Sequence, residues 1–444
     1  LRPRRADNDR MADASKLRIA ARATASKAAQ AATVRASPHP HRPGSPASDT
    51  VTPAGQVLRV LRRIGPATRS ELSRQTGFSL SAVNRVVGEL LGCALLRDRP
   101  ELTVGGVVGR PQIPLDLNAE AYFTVGVHVD EGRLRCVAGD LRGRALDRLV
   151  LDVPDTAQEA LPVVGSALRR FRLAFPARCA LWVGIVGDGR SDRRADRGCG
   201  PDWRDVADGA WPAAIPVPVT IAPHVEAMAA RELQALELTG RPGPSSYLYL
   251  HVDEPFGAAW IVDGRIPVPR SGAGTIGHLA TGSDVPCPCG RVGCLEVTVA
   301  DRTLLATAVR DGALGPDAAT RGIGALYAAA AAGAGHAAAL LDSRADVVGR
   351  AVAMMRDIVN PDVVAVGGRG LVAYRPGREV LARSYARASA LPPLPLTFSS
   401  FGERIGDAGA LGASLSAVYT DPLGALRRRA ARPSYDPAAD RFCG

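Results

Sequence analysis

Apolar residues recur at helical spacing where the chain first becomes rich in large side chains. In "GQVLRVLRRIG", Val57, Leu58, Leu61 and Ile64 share one helical face, and Gly65-Pro66 ends the helix. "TRSELSRQTGF" opens with Thr68 three residues before Glu71, a capping-box pattern, and stops at Gly77. "SLSAVNRVVGELLGCALL" starts at Ser79, a good N-cap, with Leu80, Val83, Val87 and Leu90 at helical spacing. Leu80, Val83 and Val87 are expected to face the other two helices. Three helices, with a four-residue turn centred on Gly77 before the third, predict a helix-turn-helix. The following "RDRPELTVGGVVGRPQIPLDL" has a charged start, glycines and β-prone residues, and predicts a β-hairpin wing.

From Tyr122 the period changes. "YFTVGVHVD", "RLRCVAGDL", "CALWVGIVG", "VPVTIA", "SYLYLHVD" and "AAWIVDG" are short β-rich runs, and helical stretches such as "VEAMAARELQAL" and "ADVVGRAVAMMRDIV" lie between the later ones. The alternation predicts an α/β domain with a partly parallel sheet. No short-period repeat is visible.

Length and charge sharpen this division. A chain of 444 residues exceeds one small core, so two or three domains are expected. Residues 1–50 are rich in Ala, Arg, Ser and Pro, carry ten Lys or Arg against four Asp, and have few large apolar residues. They cannot bury enough surface to fold and are expected to be a disordered basic arm, or residues upstream of a start at Met11. Their Arg/Ser bias also resembles a transit peptide, a less favoured reading. Residues 51–116 hold nine Arg against five acids, whereas the remainder is nearly neutral. A basic first quarter on a neutral body points to an anionic partner, with double-stranded DNA first. No charge-free apolar run of about 18 residues is present, so no membrane partner is expected. Cys93, Cys136, Cys179, Cys199 and Cys443 are scattered and no signal-peptide core is visible. A reducing, cytoplasmic compartment fits best.

A recognition helix reads base edges with polar side chains near its N-terminus. Here that surface would carry Ser79, Ser81, Asn84 and Arg85. Asn84 can pair with adenine and Arg85 with guanine. Arg69, opening the preceding helix, is placed for a phosphate. Arg110, between Gly109 and Pro111 on the wing, can enter a narrow A·T minor groove.

The other dense stretch is "HLATGSDVPCPCGRVGCLE", residues 278–296. Cys287, Cys289 and Cys294 have the spacing C-x-C-x4-C, and His278 precedes the first by nine residues. One imidazole and three thiolates complete a tetrahedral zinc shell, with Gly290 and Gly293 letting the backbone turn. Four protein ligands leave no open position for water, so the ion would be structural. The alternatives are three buried free thiols or a Cys-Pro-Cys disulfide.

Together these residues resemble the ROK family of sugar-responsive repressors and sugar kinases, over about residues 52 to 420. "GPATRSELSRQTGFSLSAVNRVVGELL" followed by "GRPQIPLDLN" is similar to the DNA-binding module of its repressors. "GAGTIGHLATGSDVPCPCGRVGCLE" resembles the zinc signature, "NPDVVAVGGRG" the nucleotide-side glycine turn and "GDAGALGASLSAV" the closing helix. The resemblance implies an N-terminal winged helix-turn-helix at 51–118 and a two-lobed, actin-like, hexokinase-type domain at 119–422. A flexible tail at 423–444 is expected to follow. It also implies a homodimer or homotetramer and a sugar or sugar-derivative effector.

The chain departs from the kinases of that family. Their Asp-x-Gly-Gly-Thr phosphate turn is matched by His128-Val129-Asp130-Glu131-Gly132, their catalytic Asn-Asp pair by Pro223-His224, and their next glycine turn by Asp253-Glu254-Pro255-Phe256-Gly257. Two acids would repel phosphate at the first turn. A regulator with no catalytic residues is therefore expected, ahead of an ATP-dependent sugar kinase or a ligand-independent scaffold. The family's sugar-binding Glu, three residues before the zinc histidine, is replaced by Thr275. His278 and Glu296 remain, and with Thr275 and His224 form the expected effector set.

Overall fold

The structure is a computed structural model that describes residues 51–103, 112–130, 133–187, 203, 206, 210–238, 243–253, 256–267 and 276–432. The expected basic arm at 1–50, Gly109-Arg110-Pro111, Glu131-Gly132, Glu254-Pro255 and Thr275 lie outside the described residues.

Three helices open the described chain: α1 (Pro53–Ile64), α2 (Arg69–Thr76) and α3 (Leu80–Gly92). Each begins at a side-chain cap of the expected type. Thr52, Thr68 and Ser79 accept hydrogen bonds from the backbone N–H of Gly55, Glu71 and Ala82, each at 3.2 Å. The capping box of α2 is only half closed, because Glu71 turns outward to Arg74 and Gln75. Gly77 ends α2 in the left-handed region, at φ 74°. Strands β1 (Leu96–Asp98) and β2 (Leu115–Leu117) pair antiparallel with Leu96 opposite Leu117.

The body holds two sheets. The first has β3 (Tyr122–Asp130), β4 (Arg133–Gly139), β5 (Ala145–Asp152), β6 (Cys179–Val186) and β7 (Val219–Ala222) in the order β5-β4-β3-β6-β7. Its β3-β4-β5 meander is antiparallel, and β6 and β7 add in parallel. Helix α4 (Ala157–Ala174) connects β5 to β6, and α5 (Ala210–Ala214) and α6 (His224–Glu237) flank β7. The second sheet contains β8 (Ser246–His251) and β9 (Gly257–Val262). After α7 (Leu295–Val299), α8 (Asp301–Arg310), α9 (Ala318–Arg321), α10 (Gly324–Ala331) and α11 (Gly335–Val359) comes β10 (Val363–Gly367). Helices α12 (Gly370–Ala373) and α13 (Pro376–Ala388) then lead to β11 (Leu396–Phe398). The order is β11-β10-β8-β9, with only β8-β9 antiparallel. Among the described residues no single helix is long and apolar enough to cross a membrane.

Strand alternation decides what each sheet face meets. On β3, Phe123, Val125 and Val127 enter the core shared with α4. Thr124, Gly126 and His128 point the other way, to α14 (Ile405–Thr420). Ser414 donates to Thr124 at 2.8 Å, Ala410 lies over Gly126, and Asp407 meets His128. A Cβ on Gly184 of β6 would stand 2.2 Å from the Ser414 nitrogen, so this helix lies directly on strand backbone. On β8, Leu248 and Leu250 pack with α11 and α13, whereas Tyr247 and Tyr249 pack with α6 and the start of α14.

Helix α14 also reaches the N-terminal unit. Thr52 donates from its backbone N–H to the Thr420 carbonyl at 2.9 Å. A Cβ on Gly55 would fall 2.5 Å from the Tyr419 oxygen. Val57, Leu58 and Leu61 share one buried core with Leu415, Val418 and Tyr419. The three-helix unit is thus packed onto the body.

The tail expected from residue 423 needs correction in its first part. Pro422–Ala430 is helix α15, with Asp421 accepting from the Gly424 N–H at 2.9 Å. Asp421-Pro422 is an N-cap followed by proline at the first helical position, a regular helix start. The buried Arg429 donates to the Ala180 carbonyl at 2.6 Å.

Candidate functional site

The outer face of α3 is polar and open. Ser79, Ser81, Asn84 and Arg85 are exposed, whereas Val83, Val86, Val87 and Leu90 form the buried side. Leu80 departs from expectation. It is 48% exposed, not buried against the other helices. The physical reason is position along the axis: Leu80 shares an angle with the buried Val87 but is the first residue of the helix, two turns before it, at the edge of the core. Arg85 is held by Glu89 at 3.2 Å across one turn of exposed helix. Arg69 is half-buried at the first position of α2. The surface gathers hydrogen-bonding groups and a cation where nucleic acid could approach.

The zinc-type residues converge. His278, Cys287, Cys289 and Cys294 place one ligand atom each within 4.8 Å of all the others. The Cys287 Sγ lies 3.7 Å from His278 Nδ1, and the Cys289 and Cys294 sulfurs are 3.7 Å apart. A tetrahedron with metal–sulfur bonds of about 2.3 Å has edges of about 3.8 Å, so these separations suit a zinc-sized ion. None of the three thiols is in a disulfide. Short bridges, Ala280 with Cys294 and Pro286 with Val292, fold the loop on itself. Gly293 is required: its φ is 73°, and a Cβ there would meet the Ser283 carbonyl at 2.4 Å. Arg291 beside Cys289 lowers that thiol to about 6, while burial raises Cys294 to about 11. Metal binding would displace any proton the thiols still carry. Glu296 follows at the start of α7, half-buried, its N–H bonded to the Gly277 carbonyl at 2.9 Å.

His224 is buried at the first turn of α6, its ring 5.2 Å from that of His251. His251 is the last residue of β8, and its Nδ1 lies 3.1 Å from the Tyr249 hydroxyl. Burial, and then the neighbouring His251 and His128, hold His224 well below the ordinary 6.5. It is neutral at pH 7. Near the end of β3, His128 Nε2 lies 2.9 Å from Asp407, whose other oxygen accepts from Arg148 at 2.7 Å. Burial pushes the Asp407 carboxyl up, but the hydrogen bonds and charges of His128 and Arg148 outweigh it and hold it low. His128 and His251 thus lie at the C-terminal ends of parallel strands, beside two helix starts, where α/β sheets place ligands. Asp407 and Arg148 were not among the sequence candidates. The signal was the pairing of His128, in the degenerate first turn, with "GDAGALG" 279 residues away, which no local pattern reveals.

Comparisons with known proteins complete the picture. The family model for the ROK family matches residues 132–413. A transcriptional regulator of Mycobacterium tuberculosis is 38% identical over 390 residues, covering 85% of this chain and 88% of the relative. A crystal structure of a ROK family transcriptional regulator, homolog of the E. coli MLC protein, aligns with TM-score 0.66 at 21% identity. It covers 85% of this chain and 98% of its own. The ROK hexokinase of Thermus thermophilus aligns with TM-score 0.52 at 25% identity, over 67% of this chain and 99% of its own. The two-sheet body therefore has the α/β actin-like fold shared by these regulators and kinases.

Proposed function

Since the chain belongs to the ROK family, we propose that it is a DNA-binding transcriptional regulator. In this reading it represses sugar-related genes in the cytoplasm, and its kinase-like body senses a ligand and does not transfer phosphate. The carrying observation is the open polar face of α3 on a unit whose core is continuous with α14 of the body. The extended likeness to a transcriptional regulator supports the same reading.

Helices α1–α3 and the β1-β2 ribbon act as a winged helix-turn-helix. Helix α3 enters the major groove, with Ser79, Ser81, Asn84 and Arg85 toward base edges. Arg69 contacts a phosphate, and Arg110 on the wing enters the minor groove. Two such units in a homodimer, or four in a homotetramer, match half-sites of a palindromic operator. His278, Cys287, Cys289 and Cys294 hold one structural zinc ion per chain. The ion fixes the loop that carries Glu296. Cys289→Ser is expected to abolish zinc content, and well below one zinc per unmutated chain would contradict the site.

A sugar or related polyol is the proposed effector, met by His278, Glu296, Thr275 and His224. It acts by binding one arrangement of the lobes better than another. Helix α14, pinned to His128 and Arg148 at one end and seated on α1 at the other, carries the change. Phosphoryl transfer is disfavoured by His128 in the phosphate turn and by Pro223, which has no amide donor to offer a phosphate. The test is operator titration with a panel of sugars and sugar phosphates, alongside an ATP-consumption assay. An effector should change affinity by about 5–150-fold. Glu296→Gln should reduce that response and leave ligand-free affinity intact. ATP consumption with a sugar, or a panel without effect, would overturn the sensor reading.

A further inference from the structure

Leu80 is the one exposed large apolar side chain of α3. Exposed leucines are ordinary on protein surfaces, so its place decides what it means. The exposed arc runs through Leu80, Asn84, Gly88, Ser81 and Arg85, in that angular order at 100° per residue; Leu91 shares the angle of Leu80 but is half-buried against the core three turns later. Gly88 has open space around the position a Cβ would take. Ser81 is small. The middle of the arc is therefore shallow, and the helix can approach a groove floor closely. Leu80 is the first helical residue, and the Ser79 cap fixes its backbone. Being 48% exposed, it gives the fold only part of what a buried leucine would.

The major groove offers one apolar mark, the C5-methyl group of thymine. We infer that Leu80 is a specificity-determining residue that packs on a thymine methyl group, beside the base pair contacted by Asn84. The inference rests on the reading of α3 as the recognition helix. It adds an apolar contact to a face otherwise composed of hydrogen-bonding groups. The contact distinguishes thymine from every base that lacks a 5-methyl group, a distinction Asn84 and Arg85 do not make.

The test uses the full chain and an operator located by footprinting the DNA that flanks its gene. Each thymine is replaced in turn by deoxyuridine, which removes the methyl group and keeps the base pair. Unmutated protein should lose affinity about fourfold at one position per half-site, the value of one buried methyl group. Leu80→Ala should bind the parent operator more weakly and be indifferent to thymine or uracil at that position only. Circular dichroism should show the variant folded, since the side chain is outside the core. Asn84→Ala should keep the thymine preference. If Leu80→Ala retains that preference, or if no thymine is sensitive while the operator is still bound selectively, the inference fails and the regulator reading stands. If the chain binds no DNA sequence selectively, both fail.

Discussion

The two ends of α14 are held by different physics. At its C-terminal end, backbone touches backbone. Gly55 leaves no room for a side chain against Tyr419, Thr52 bonds to Thr420, and leucines of α1 share a core with Val418. At its N-terminal end Ile405 is also buried, but the contact includes a charge set, Asp407 between His128 and Arg148. Close packing has essentially one arrangement and resists small displacements. A carboxylate with two cationic or polar partners can be biased by protonation or by a competing ligand. The difference suits the relay proposed above, in which the output end is fixed to the proposed DNA-binding unit and the input end is switched by a ligand.

The contrast breaks first at the packed end. Gly55→Val inserts carbon where carbonyl oxygens stand at 2.5 and 2.7 Å, so about 3 kcal/mol of stability should be lost. Urea denaturation measures this, and a loss within about 0.5 kcal/mol would show the seat to be slack. Operator affinity should fall with it, because the unit loses its orientation.

Asp407→Asn probes the other end. About 2 kcal/mol should be lost, as Arg148 and the buried His128 lose their anion. The folded carboxyl lies below its ordinary value. Its contribution is therefore complete above an unfolded pKa of about 3.9 and disappears as pH falls through the folded value. The variant should lack that part of the acid-induced loss. Equal acid sensitivity in both proteins would mean that Asp407 is not held as an anion.

A smaller effect sharpens the picture beside it. His224 is held neutral by burial and by His251 and His128, so the unfolded chain takes up a proton that the folded chain refuses. Stability from this group is complete above about pH 6.5 and falls by at most about 1.4 kcal/mol per unit below it. His224→Gln should flatten the slope between pH 6.5 and 5. An unchanged slope would assign it to other groups.

What was legible in the sequence follows the same division. Thr68, Ser79 and Gly77 mark helix ends by chemistry that acts within three residues, and the helices begin and end there. The zinc-type cluster was legible because its ligands lie within 17 positions of one another. Leu80 was misplaced because helical spacing alone does not say where along the helix the core ends. The Asp407 set was invisible, since His128, Arg148 and Asp407 meet only once a strand pair and the closing helix have packed. Asp421-Pro422 carried a helix-start signal that the arginines after it obscured.

The central claim is that α3 reads double-stranded DNA from a unit fixed to a sensing body. Fluorescence anisotropy with the gene-flanking operator tests it most directly, using unmutated protein, Asn84→Ala and Arg85→Ala at matched salt. Each substitution should cost about 1–3 kcal/mol on the operator and relax preference at one base position, with denaturation midpoints unchanged. Operator affinity and base preference identical to the unmutated protein in both variants would contradict the account.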